Sequence, residues 1–117
     1  MDLQEAIRAH AEWRTKLRGA IAAKSNLDVD TIGRDDCCQL GKWLHGESGP
    51  MYGPLSSHIA CLKKHALFHK ESAKVASNIN AKRFADAEGM LESGSSYLSA
   101  ANALVYAIDA LKREAKL

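Results

Sequence analysis

The chain has 117 residues, 46% hydrophobic and 26% charged, with only two prolines. That balance fits one globular domain over residues 1–117 and excludes a disordered tail. Its 16 basic and 14 acidic residues are interspersed and leave a net charge of +2, which gives no basic stripe for nucleic acid.

From Leu3 to about Lys24, Leu3, Ile7, His10, Leu17 and Ile21 recur at helical intervals, so the spacing predicts one amphipathic helix, with Asp2 and Glu5 placed as a capping box. His10 sits on its apolar seam. An imidazole there faces the interior and needs a partner, because an unpaired buried polar group costs on the order of 1–3 kcal/mol. Ser25 to Asp36 reads as a polar connection pinned by Val29 and Ile32. A short second helix is expected from about Asp36 to His45, capped by Asp35 or Asp36, with Leu40, Trp43 and Leu44 as its apolar stripe and Cys37 and Cys38 in its first turn. The positive end of that helix favours a thiolate and lowers a cysteine's pKa.

Gly46, Gly49, Pro50, Gly53 and Pro54 mark a second connection. A long third helix follows from Leu55 to Asn80, its predicted stripe comprising Leu55, Ile59, Leu62, Ala66, Ala73, Ala76 and Ile79. From about Lys82 the spacing of Phe84, Ala87, Leu91, Leu98, Ala101, Val105, Ile108 and Leu111 predicts a fourth helix of about 30 residues, kinked or loose where Gly94 interrupts the stripe. No strand pattern occurs. The expected fold is therefore all-α, an antiparallel four-helix bundle of three long helices and one short one. At 1.5 Å per residue the last helix would reach about 45 Å against about 33 Å for the first, leaving apolar surface for a homodimer to cover.

No apolar run approaches the roughly 20 residues that span a bilayer, and the acidic start is unlike a signal peptide, so the cytoplasm is the expected location. Three cysteines in such a compartment point to metal ligation or redox chemistry rather than disulfides. His65 and His69, four apart in the third helix, project both rings from one face at a separation that suits a single metal ion. With five histidines in the chain such a pair also arises by chance, so the other converging residues decide. If the first three helices pack together, His10, a cysteine from the start of the second helix, His65 and His69 can meet, completing a closed tetrahedral zinc shell with no position for a catalytic water. That argues against a hydrolase, and no enzyme activity is expected.

The segment Cys38, Gln39, Leu40, Gly41, Lys42 and Trp43, preceded by a helix carrying His10, Ala11, Glu12 and Trp13 and followed by His65, Ala66, Leu67, Phe68 and His69, resembles the chemoreceptor zinc-binding domain family. The resemblance covers nearly the whole chain. It implies a cytoplasmic regulatory domain of bacterial signal transduction, working with chemoreceptor or diguanylate cyclase modules in a dimeric helical bundle. It further implies one Zn2+ held by His10, Cys38, His65 and His69, and a response to zinc level or to oxidants such as hypochlorous acid. Family members are usually fused to a signalling module, and none is visible in this sequence.

Cys61, one turn before His65, competes as a thiolate ligand but reads better as a small buried hydrophobe. Cys37 points about 100° away from Cys38 around the helix and could act as a resolving thiol. His45 and His58 read as solvated. Trp13 and Trp43 could wall the metal from water, Gly41 would allow a close approach, and Asp35 or Asp36 could orient a ligand imidazole. A hemerythrin- or ferritin-like di-iron bundle is the rival, but such centres need Glu three residues before His, where this chain has Leu62 and Ala66. A metal-free helical dimerisation module is the third possibility.

Overall fold

The computed structural model describes every residue from Met1 to Leu117, and all of its regular structure is helical. The expected first helix forms as α1 (Leu3–Ala11) and α2 (Trp13–Ala23), separated at Glu12. Asp2 caps α1 by accepting the Glu5 N–H at 3.1 Å. The reciprocal half of the capping box does not form, because the Glu5 carboxylate turns outward to Arg8. Lys24, in the left-handed region at φ 53°, ends α2.

The connection that follows is not fully irregular. It contains α3 (Val29–Gly33), started by Asp28, whose carboxylate accepts the Thr31 N–H and hydroxyl. The second expected helix is α4 (Gln39–His45), which begins three residues later than the sequence suggests. Neither Asp35 nor Asp36 caps it, since Asp35 pairs with His45 and Asp36 with Arg34. The Pro/Gly-rich connection holds a single turn, α5 (Ser48–Tyr52).

The long third helix, α6 (Ser56–Asn80), agrees with its predicted bounds, but its buried face differs. Ile59 is 46% exposed and Ala66 is exposed. Ala76 and Ile79 of the predicted stripe are buried as expected, but toward the middle of the helix the inward side carries Cys61, His65, Phe68, His69, Ser72 and Val75, so polar ring nitrogens occupy positions that a purely apolar stripe would have filled. The expected fourth helix breaks into α7 (Phe84–Met90) and α8 (Ser96–Glu114). Gly94 adopts φ +85°, a left-handed conformation that turns the chain, and Ser95 then caps α8 through the Leu98 N–H at 3.2 Å. At 19 residues α8 is only about 28 Å long, so the excess length that suggested a covering partner is absent.

α6 is the centre of the packing: it lies along α8 and against α3, while α1 packs on α8 and α4, and α2 on α6 and α7. Leu17, Leu40, Leu44, Phe68, Val75, Ile79, Leu104, Ile108 and Leu111 form one continuous core. Each such side chain contributes about 1.5–3 kcal/mol by leaving water. Asn80 stitches the two ends of this layer, bonding both the N–H and the carbonyl of Leu27 at 2.8 Å. The core thus holds α4 against both α1 and α6. No helix is long and apolar enough to cross a membrane.

Candidate metal centre

His10 near the end of α1, Cys38 immediately before α4, and His65 and His69 in the middle of α6 converge, with one ligand atom from each lying within 4.8 Å of all the others. Nε2 of His65 is 3.2 Å from Nε2 of His10 and 3.0 Å from Nε2 of His69. Sγ of Cys38 is 3.2 Å from Nε2 of His65 and 3.7 Å from Nε2 of each of the other two. A tetrahedron built on zinc bond lengths would have N···N edges of about 3.3 Å and S···N edges of about 3.6 Å. Five of the six edges, 3.0 to 3.7 Å, lie close to these values and the sixth, from His10 to His69, is within 4.8 Å, so the four donors are grouped on the scale of one ion's shell.

The outer nitrogens show how the rings are held. Nδ1 of His10 donates to the Ala6 carbonyl at 2.7 Å, one turn back in α1, and Nδ1 of His69 donates to the Ile32 carbonyl of α3 at 2.8 Å. Both bonds place the proton on Nδ1, which leaves Nε2 as an inward lone pair. Nδ1 of His65 is buried and meets no protein partner, so its tautomer is not locked in the same way. Phe68 fills the space behind the rings, edge-on to His10 at 5.4 Å and to His69 at 5.6 Å. No carboxylate enters the cluster, as a di-iron centre would need.

Burial sets the electrostatics. Removal from water pushes the His65 pKa down to about 3, helped by the neighbouring His69 and His10 rings, and lowers His10 and His69 as well. The three imidazoles are thus neutral and available as donors near neutral pH. Cys38 is the N-cap of α4, and its sulfur accepts the Gly41 N–H at 3.4 Å. That bond favours the thiolate, yet burial outweighs it and the thiol pKa is raised, opposite to the lowering expected from the helix end alone. A coordinated cation reverses the balance, because metal-bound thiols are deprotonated.

The other sequence candidates are placed apart from the cluster. Cys61 is fully buried and its thiol is pushed up to about 12 by desolvation, in keeping with a small core hydrophobe. Cys37 is half-buried beside the Asp36 carboxylate at 3.6 Å. His45 is exposed and pairs with Asp35 at 3.0 Å. His58 is not solvated as expected but 3% exposed, with Nε2 2.8 Å from the buried Ser48 hydroxyl, which itself donates to the Leu44 carbonyl. Trp13 borders the site and Trp43 packs instead against Tyr52 with ring centroids 6.0 Å apart. Orientation of the ligand rings comes from the carbonyls of Ala6 and Ile32, not from an aspartate. The first could be found from its position four residues before His10, whereas the second has no signature in the sequence.

A helical domain that gathers three imidazoles and one cysteine around a space for one ion belongs to the class of small His/Cys metal-binding domains. The chain is a member of the family described as Chemoreceptor zinc-binding domain, which matches residues 10–76 and so begins on His10 and contains Cys38, His65 and His69. None of the curated proteins and none of the solved structures compared with it matches.

Proposed function

We propose that residues 1–117 form one cytoplasmic sensor domain of bacterial signal transduction, holding a single zinc ion through His10, Cys38, His65 and His69. The observation that carries this is the mutual spacing of the four donor atoms, all within 4.8 Å, in a chain of a zinc-binding family. The domain acts as a switch and not as an enzyme: the four donors close a tetrahedral shell and leave no place for a reacting water. When bound, zinc supplies a cross-link between α1, α4 and α6. Cys38 is the ligand that changes state. Its sulfur, once oxidised by a species such as hypochlorous acid, no longer donates, and α4 is then released from α1 and α6. Falling zinc supply has the same structural consequence.

The arrangement is an antiparallel four-helix bundle, with α1 and α2 counted as one arm beside α4, α6 and α8, and it works as a homodimer. Support for a partner surface comes from large apolar side chains left in solvent, Ile59 and Leu67 on α6 and Tyr106 on α8, the last 79% exposed. The output goes to a chemoreceptor or a diguanylate cyclase module, the setting that the family resemblance implies. Elemental analysis of the purified protein beside Cys38→Ser tests the assignment. About one zinc per chain in the wild type and a much smaller fraction in the variant are expected; a protein that carries iron, or zinc unaffected by the substitution, refutes it.

A further inference from the structure

The cluster is not sealed on every side. His65 is fully buried and His69 is 4% exposed, but Cys38 is half-buried and shares with His10 the floor of a cavity of about 210 Å3 between the start of α1 and the start of α4. The space exists because α1 turns alanines toward α4: Ala6 and Ala9 form one wall, and Trp13 and Leu40 the others. Met1, Asp2, Glu5 and Gln39 complete the lining, and the Glu5 carboxylate is already paired with Arg8.

We propose that this cavity is the entry port to Cys38, admitting electrophiles and two-electron oxidants of a few heavy atoms and turning away peptide-sized disulfides. Size decides. Sites that enclose drug-sized molecules run from about 300 Å3 upward, so this one holds a molecule of a few heavy atoms, such as hydrogen peroxide, but not a tripeptide disulfide. With hydrogen peroxide, the Cys38 thiolate attacks one peroxide oxygen, an S–O bond forms as the O–O bond breaks, and the departing hydroxide takes a proton from solvent. Sulfur is oxidised by two electrons and the peroxide is reduced.

The port builds on the role given to Cys38 above, and its test is independent of metal content. In the full chain carrying Cys37→Ser, with Cys61 fully buried, the rate of Cys38 carbamidomethylation by iodoacetamide is measured by mass spectrometry of the modified peptide, in zinc-loaded and in chelator-treated protein. Ala9→Phe, at an exposed helix position that fills the cavity, is expected to slow the reaction about tenfold in both states. Trp13→Ala, which opens it, is expected to speed the reaction. Unchanged rates in both variants, with helical content and zinc content retained, overturn the port while leaving the zinc site standing. Loss of zinc binding with the rate differences intact would instead overturn the zinc assignment alone.

Discussion

Gly41→Ala tests the link between the backbone of α4 and the metal centre. A Cβ at position 41 would lie 1.8 Å from the Asp35 carbonyl oxygen, 2.7 Å from its carbon and 3.1 Å from Cα of Asp36. These are backbone atoms and cannot rotate away, so relief to even a 3.0 Å contact requires the 35–36 segment and α4 to separate by about 1.2 Å. Cys38 lies between the two, and metal sites tolerate only about 0.2 Å in their bond distances. Overpacking of this kind costs about 1–3 kcal/mol, and displacing the sulfur is expected to weaken zinc binding by on the order of 10- to 100-fold. Gly19→Ala is the control, since a Cβ there meets nothing within 4 Å and the site is exposed in the interior of α2. It is expected to stabilise the protein by up to about 1 kcal/mol. Chemical denaturation of the metal-free variants and chelator competition for zinc read the two effects separately. A Gly41→Ala protein with wild-type stability and wild-type zinc affinity would show that the close contact with Asp35 does not position Cys38.

Removal of zinc by a strong chelator is expected to lower Tm markedly, restored by adding the metal back, whereas a metal-free dimerisation module would show no change. The pH dependence of the chelated protein follows from the depressed pKa values of His10, His65 and His69. The unfolded chain binds more protons than the folded one below the ordinary value of 6.5, so stability is complete above that pH and declines as the pH falls toward about 3, where His65 finally protonates. Denaturation midpoints at about pH 7.5 and about pH 5.5 check the sign, and equal midpoints would contradict it. Phe68→Ala empties space behind His10 and His69 and is expected to cost about 3–5 kcal/mol, visible in urea unfolding, together with weaker zinc binding. Cys61→Ala, by contrast, is expected to keep full zinc stoichiometry, since that sulfur lies outside the cluster.

The sequence was most legible where side-chain chemistry and helical period agree. His65 and His69 share a face because they are four apart, and His10 is buried where the seam of α1 placed it. Choosing Cys38 over Cys37 needed the family resemblance, because adjacent residues offer the same atom and only the backbone around the start of α4 decides which one turns inward. Period misled where the site itself occupies the core. Along α6 the apolar residues suggested a face through Ile59 and Ala66, but the histidines claim the interior and rotate the helix, leaving Ile59 in solvent. The turn at Gly94 was visible as a gap in the pattern, yet its full effect, two helices instead of one kinked helix, depends on Ser95 starting α8 afresh. The Ile32 carbonyl, which orients His69, could not be read at all, since every residue carries the same carbonyl and tertiary packing alone selects it.

Cys38 holds two offices with one atom. Its sulfur accepts the Gly41 amide in the first turn of a helix only seven residues long, and it also faces three imidazoles. A helix that short has little cooperativity of its own, and the loss of an N-terminal acceptor is worth about 1 kcal/mol. A reagent that blocks the lone pairs of this sulfur is therefore expected to loosen the opening turn of α4 as it removes a donor from the cluster, turning a chemical event at a single atom into a change in backbone order with no intermediary.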